Sequence, residues 1–95
     1  MSSADVAVKI FRTLEPEDFK TLRAVEIQMK KSEVISEELI RKHAKLPNEE
    51  VAYRLDMLSK QGLLQHQSTP YVGYRLNAAG YDCLAINALV KADVL

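Results

Sequence analysis

The stretch LPNEEVAYRLDMLSKQGLL, Leu46 to Leu64, constrains this chain more than any other. Pro47 suits the opening of a helix, where no amide donor is needed. Val51, Leu55 and Leu58 recur at three- and four-residue intervals, the spacing of one helical face. Gly62 marks the stop, because the left-handed backbone that closes a helix is cheap only for glycine. Leu63 stands where the apolar contact of such a cap falls. The spacing therefore predicts a helix over 47–61 with one buried side and an abrupt end.

Two short extended runs follow, over 63–67 and 71–76. The second is rich in aromatic and branched residues, and Ser68-Thr69-Pro70 between them reads as a turn. The pair is expected to form a β-hairpin. Upstream, "SEELIRKHA" predicts a short helix over 36–44. Ser36 is its N-cap, Ile35 and Ile40 sit at the spacing of a hydrophobic staple, Glu37 and Glu38 fall in the first turn, and Arg41, Lys42 and His43 in the last. A longer helix over 16–30 begins at Pro16 and buries Phe19, Leu22, Val25 and Met29. A first helix over 4–13 has Ser3 as N-cap and Val6, Ala7, Ile10 and Phe11 on its inner face, with Leu14 beyond. Asn77 caps a last helix over 78–91, whose buried stripe is Tyr81, Leu84, Ala85, Ala88 and Leu89. Gly80 in its first turn costs about 1 kcal/mol relative to Ala, which points to close packing there. Helix, helix, helix–short turn–helix, hairpin, helix is the order of a winged helix-turn-helix. The fold class is thus mainly α with a small β-hairpin, and residues 1–95 form a single domain. Helix 47–61 takes the recognition position and the hairpin is the wing.

Composition excludes several functions. A net charge of zero lacks the basic surplus on which phosphate binding relies. The single cysteine, Cys83, permits neither an internal disulfide nor a cysteine zinc cluster, and fits a reducing, cytoplasmic setting. No apolar run reaches the ~18–20 residues of a membrane span. Three scattered glycines cannot build a phosphate loop. His43 and His66 lack ligand partners at helical spacing, and Cys83 has no base beside it. No catalytic, cofactor-binding or metal-binding residue is expected in this chain.

Binding is the remaining class. The first turn of a recognition helix normally meets the DNA backbone and base edges. Here it carries Glu49 and Glu50, so a solvated or protein-facing helix accounts for that side better than duplex readout. Tyr53, Arg54 and Lys60 are its candidate contact residues. Basic residues collect elsewhere: Lys30 and Lys31 after the second helix, Arg41, Lys42 and Lys45 around the end of the third, and Arg75 on the wing near Tyr71 and Tyr74. Arginine–aromatic mixtures stack on unpaired bases and hold RNA backbone. The plainer alternative packs Tyr74 and Tyr81 in the core and leaves the lysines solvated.

Two longer stretches carry a family resemblance. DFKTLRAVEIQMKKSEVISEELI and GYRLNAAGYDCLAINAL resemble the N-terminal domain of RIO-type atypical protein kinases of the RIO-two subfamily. The matching residues are Asp18-Phe19, Leu22, Ala24-Val25-Glu26, Met29-Lys30, Glu33 and Leu39-Ile40. They resume at Leu58, Leu63, Gly73-Tyr74-Arg75-Leu76, Gly80-Tyr81-Asp82 and Leu84-Ala85. The resemblance implies a winged-helix domain preceding a serine/threonine kinase or ATPase domain that uses ATP and Mg and acts in maturation of the small ribosomal subunit. It places that kinase domain after residue 95, with "LVKADVL" resembling the start of the linker. The implied partners are pre-ribosomal small-subunit RNA or proteins and the protein's own kinase domain. Lys31-Ser32 stands where the family usually has Asn-His, and Cys83 where an aromatic is common. The fold alone would equally serve a free-standing winged-helix transcription regulator that binds DNA.

Overall fold

The computed structural model describes residues 3–92. Five helices and one hairpin run in the order α1 (Ser3–Phe11), α2 (Pro16–Gln28), α3 (Glu37–Ala44), α4 (Asn48–Lys60), β1 (Leu64–Gln67), β2 (Gly73–Leu76) and α5 (Ala78–Lys91). This is a winged helix, mostly helical with a two-stranded antiparallel wing. Each end agrees with the sequence expectation to within three residues. The Ser3 cap and the inward placement of Val6 concern side chains outside the described residues.

The local signals act where the sequence puts them. The Ser36 hydroxyl accepts from the Leu39 amide at 3.3 Å and opens α3. Gly62, at φ +82°, closes α4. The Leu63 amide reaches back to the Leu58 carbonyl at 3.0 Å and the Gly62 amide to Ser59 at 3.1 Å, the paired bonds of a Schellman motif. Leu58 and Leu63 are both fully buried, which supplies its apolar contact. Lys45 closes α3 at φ +57°, a conformation that costs a non-glycine residue about 1–2 kcal/mol.

The core is one cluster. Leu22, Val25, Ile35, Ile40, Val51, Leu55, Leu58, Leu63 and Leu64 lie fully inside, with Phe19, Met29 and Tyr74 partly buried against them. In the wing buried Leu64 pairs with buried Leu76, exposed His66 with half-buried Tyr74, and exposed Gln65 with exposed Arg75. The His66 and Tyr74 rings meet at 4.9 Å. An isolated bridge joins Ile35 to Tyr74 through two bonds of 2.8 Å, so the loop before α3 acts as a third, one-residue strand.

Three expectations are corrected. The second strand does not begin at Tyr71: β1 ends at Gln67, whose partner is Gly73, so 68–72 have nothing to pair with and form a loop. The buried face of α5 is Ala79, Gly80, Cys83 and Leu84, whereas Tyr81, Ala85, Ala88 and Leu89 are exposed. The cause is contact at two points. A Cβ on Gly80 would lie 2.3 Å from the Leu63 carbonyl oxygen, and Cys83 Sγ reaches the Ala7 carbonyl at 3.6 Å. Those contacts fix the rotation of a helix that is apolar on several sides. Finally, Asn77 holds the cap position of α5 without a capping side-chain bond. Its amide group instead donates to the Gly62 carbonyl at 3.2 Å, and its backbone N–H to Leu63 at 3.0 Å.

Candidate functional site

The candidate contact residues separate by what already holds them. Arg54 is the clearest case. It projects from α4 toward the first turn of α2, and its side chain is only 9% exposed. It donates to Asp18 at 3.1 Å, to Glu50 at 3.0 Å and to Glu15 at 3.3 Å, and Glu17 stands at 4.0 Å. Burial works against its charge, but Glu50, Asp18 and Glu15 more than restore it and its pKa is raised. The expectation that Arg54 faces a partner is therefore corrected: its guanidinium is committed to the fold. Asp18 is also held by the Glu15 amide at 2.9 Å, which opens α2. No local signal marks this arrangement, because Asp18 and Arg54 are 36 residues apart.

Arg41 pairs with Glu37 one turn back on α3. Lys60 pairs with Asp56 at 3.0 Å, both widely exposed, a contact worth little in water. Among the described residues, none of the ion pairs engages Lys30, Lys31, Lys42, Lys45 or Arg75. These five are exposed cations free to meet a partner.

They come from three parts of the fold. Lys30 and Lys31 lie in the turn after α2, beside Met29, whose sulfur accepts from the Leu76 amide at 3.3 Å and from the Tyr81 hydroxyl at 3.6 Å. Lys45 stands at the far end of α3, a helix of eight residues and so roughly 12 Å long. Arg75 projects from the outer face of the wing. Tyr74 is half-buried, and burial, with Glu37 and Asp56 adding, holds its hydroxyl above the usual range.

The outer side of α4 is acidic. Asn48, Glu49, Tyr53 and Asp56 are exposed there, and the Tyr53 ring lies 5.7 Å from the Arg54 guanidinium carbon. The nearby carboxylates of Glu15, Glu17 and Glu50 extend the negative surface toward α2. A helix of this charge repels the phosphates flanking a DNA groove.

Two concavities open on the surface. One of about 960 Å³ lies between α2 and α5, with Phe19, Leu84 and Ala88 in its lining and Lys20 and Lys91 beside them. The other, of about 620 Å³, lies between the wing loop and the segment leading into α3. Among the described residues no group of three or more His, Cys, Asp or Glu could hold a metal ion, and no helix is long and apolar enough to cross a membrane.

Residues 11–92 match the family described as Rio2, N-terminal. The chain is 40% identical over 86 residues to the serine/threonine-protein kinase rio2 of Dictyostelium discoideum, covering 90% of this chain and 16% of that one. It is 39% identical over 85 residues to the kinase of the same name from Schizosaccharomyces pombe, covering 88% and 25%. The fold superposes on the crystal structure of the Rio2 kinase–ADP/Mg2+–phosphoaspartate complex from Chaetomium thermophilum with a TM-score of 0.81 and 33% identity, covering 88% of this chain and 26% of that one. The chain thus spans about a quarter or less of the relatives it matches.

Proposed function

This chain belongs to the Rio2 N-terminal domain family, and on that footing we propose that it is the non-catalytic docking domain of a Rio2-type serine/threonine kinase. In this reading a kinase domain elsewhere in the protein binds ATP and Mg2+; the Chaetomium thermophilum relative, crystallised as an ADP/Mg2+ complex, supports it. The winged helix holds the enzyme on RNA or protein of small ribosomal subunit precursors, in the cytoplasm. The groove between α2 and α5 is the face assigned to the kinase domain, because it is the larger apolar concavity.

The observation that carries this reading is the division of charge. The cations of α4 are tied to carboxylates, while Lys30 and Lys31 after α2, Lys42 and Lys45 at the end of α3, and Arg75 on the wing are uncommitted. A free-standing regulator reading duplex DNA through α4 would need the opposite arrangement.

The test replaces Lys30 and Lys31 together by Glu in the protein carrying both domains. Binding to small-subunit precursor particles should fall at least tenfold, with nucleotide affinity of the kinase domain unchanged. Full particle binding by this variant would overturn the docking role of the α2 end.

A further inference from the structure

We propose that the cleft between the wing loop and the start of α3 receives an unpaired nucleobase, so that the nucleic acid recognised here is single-stranded RNA rather than a duplex. This rests on the docking reading above and specifies its ligand. The cleft is about 620 Å³, ample for one base. Tyr71 is 74% exposed and Val72 67%, and with Leu39 of α3, 39% exposed, they form apolar walls. Exposed apolar side chains gathered around one concavity, rather than scattered singly, mark a binding surface. An aromatic face of this kind stacks on any base, and stacking on one base is a recurring source of affinity for single strands.

The remaining lining speaks to what is covered. Gln67 presents an amide group and Glu33 a carboxylate at the cleft. A carboxylate accepts hydrogen bonds and donates none. It therefore accepts from the exocyclic amino group of cytosine, where uracil instead presents the O4 carbonyl, an acceptor that repels it. Lys30 and Lys31, exposed and unpaired, directly precede the lining residue Ser32 and can hold the phosphates on either side of a captured base. An apolar protein segment would gain nothing from these lysines, and a duplex cannot insert a paired base.

The experiment measures anisotropy of labelled eight-nucleotide oligo(C) and oligo(U) RNA, and of a short RNA duplex, against the chain and three variants. Oligo(C) should bind more tightly than oligo(U), and both more tightly than the duplex. Tyr71→Ala, in an exposed loop, should weaken single-strand binding about tenfold and leave the salt dependence unchanged. Glu33→Gln should reduce the preference for oligo(C). Lys30→Glu with Lys31→Glu should weaken binding and flatten the salt dependence. Equal binding of all strands by wild type and Tyr71→Ala would overturn the base cleft. Loss of precursor-particle binding in the lysine variant but not in Tyr71→Ala would overturn the cleft while leaving the docking role standing. If Tyr71→Ala loses particle binding although the chain binds no single strand, the occupant is a protein segment and the proposal fails.

Discussion

Arg54 and Asp18 meet at 3.1 Å with side chains 9% and 1% exposed, joining the middle of α4 to the first turn of α2. Removing one member of a buried ion pair costs about 3–5 kcal/mol, because the other is left uncompensated. Arg54→Met should therefore lower stability by about 3 kcal/mol in urea unfolding. Adding Asp18→Asn should recover part of that loss, since the stranded charge is then gone. Purely additive losses would show that the two residues are not coupled.

Gly80 and Gly62 are both glycine for different reasons, and their alanine variants should separate them. At Gly80 a Cβ would lie 2.3 Å from backbone, whereas at Gly62 it meets open space but a φ of +82°. Gly62→Ala should cost about 1 kcal/mol from backbone strain alone. Gly80→Ala should cost about 2 kcal/mol or more, because α5 must shift away from the Leu63 backbone. Since 1 kcal/mol moves the Tm of a domain this size by about 4–8 °C, thermal unfolding ranks the two directly.

Lys45 offers the converse case. It occupies the left-handed region at the end of α3 with no ion pair among the described residues. Lys45→Gly should raise stability by about 0.5–1 kcal/mol, as relief of strain outweighs the freedom glycine adds to the unfolded chain. A loss of stability would mean that the lysine side chain makes a contact of its own.

Burial pushes the Cys83 thiol up to about 11, with Asp82 adding to the effect, from an ordinary value of 9.0. The unfolded chain thus ionises this thiol at a pH where the fold still resists. The stability contributed by the neutral thiol is complete below about pH 9 and is lost as pH rises through about 11. Tyr74, also raised, adds to the decline at the upper end. Stability measured from about pH 8 to 11 should fall, and Cys83→Ala should flatten the upper part of the curve. Iodoacetamide at about pH 8 should label Cys83 rapidly in urea and slowly in buffer.

Helix ends are readable because their causes are local. Pro16, Ser36, Pro47 and Gly62 each act on neighbours within a turn, and the structure uses all four at helix ends. The rotation of α5 is not readable, since Ala78, Ala79, Leu84, Ala85, Ile86, Ala88 and Leu89 offer apolar surface in several directions. Contacts with Leu63 and Ala7 decide among them. The Ile35–Tyr74 bridge is a single residue long and leaves no periodic trace. In the candidate site, residue type alone finds the cations. It does not distinguish Arg54, whose four carboxylates lie on and around two helices, from Lys30 and Lys31, which enter no ion pair among the described residues.

The corner between α4 and the wing is stitched to the corner between the wing and α5. Asn77 reaches Gly62 and Leu63, and Gly80 rests on the Leu63 carbonyl. Both feet of the hairpin are therefore clamped to the helices, while residues 68–72 project beyond the last paired rung. The wing behaves as a cantilever. Its tip can change length or sequence without disturbing the body, so new binding preferences can arise at 68–72 while the clamp residues must stay as they are.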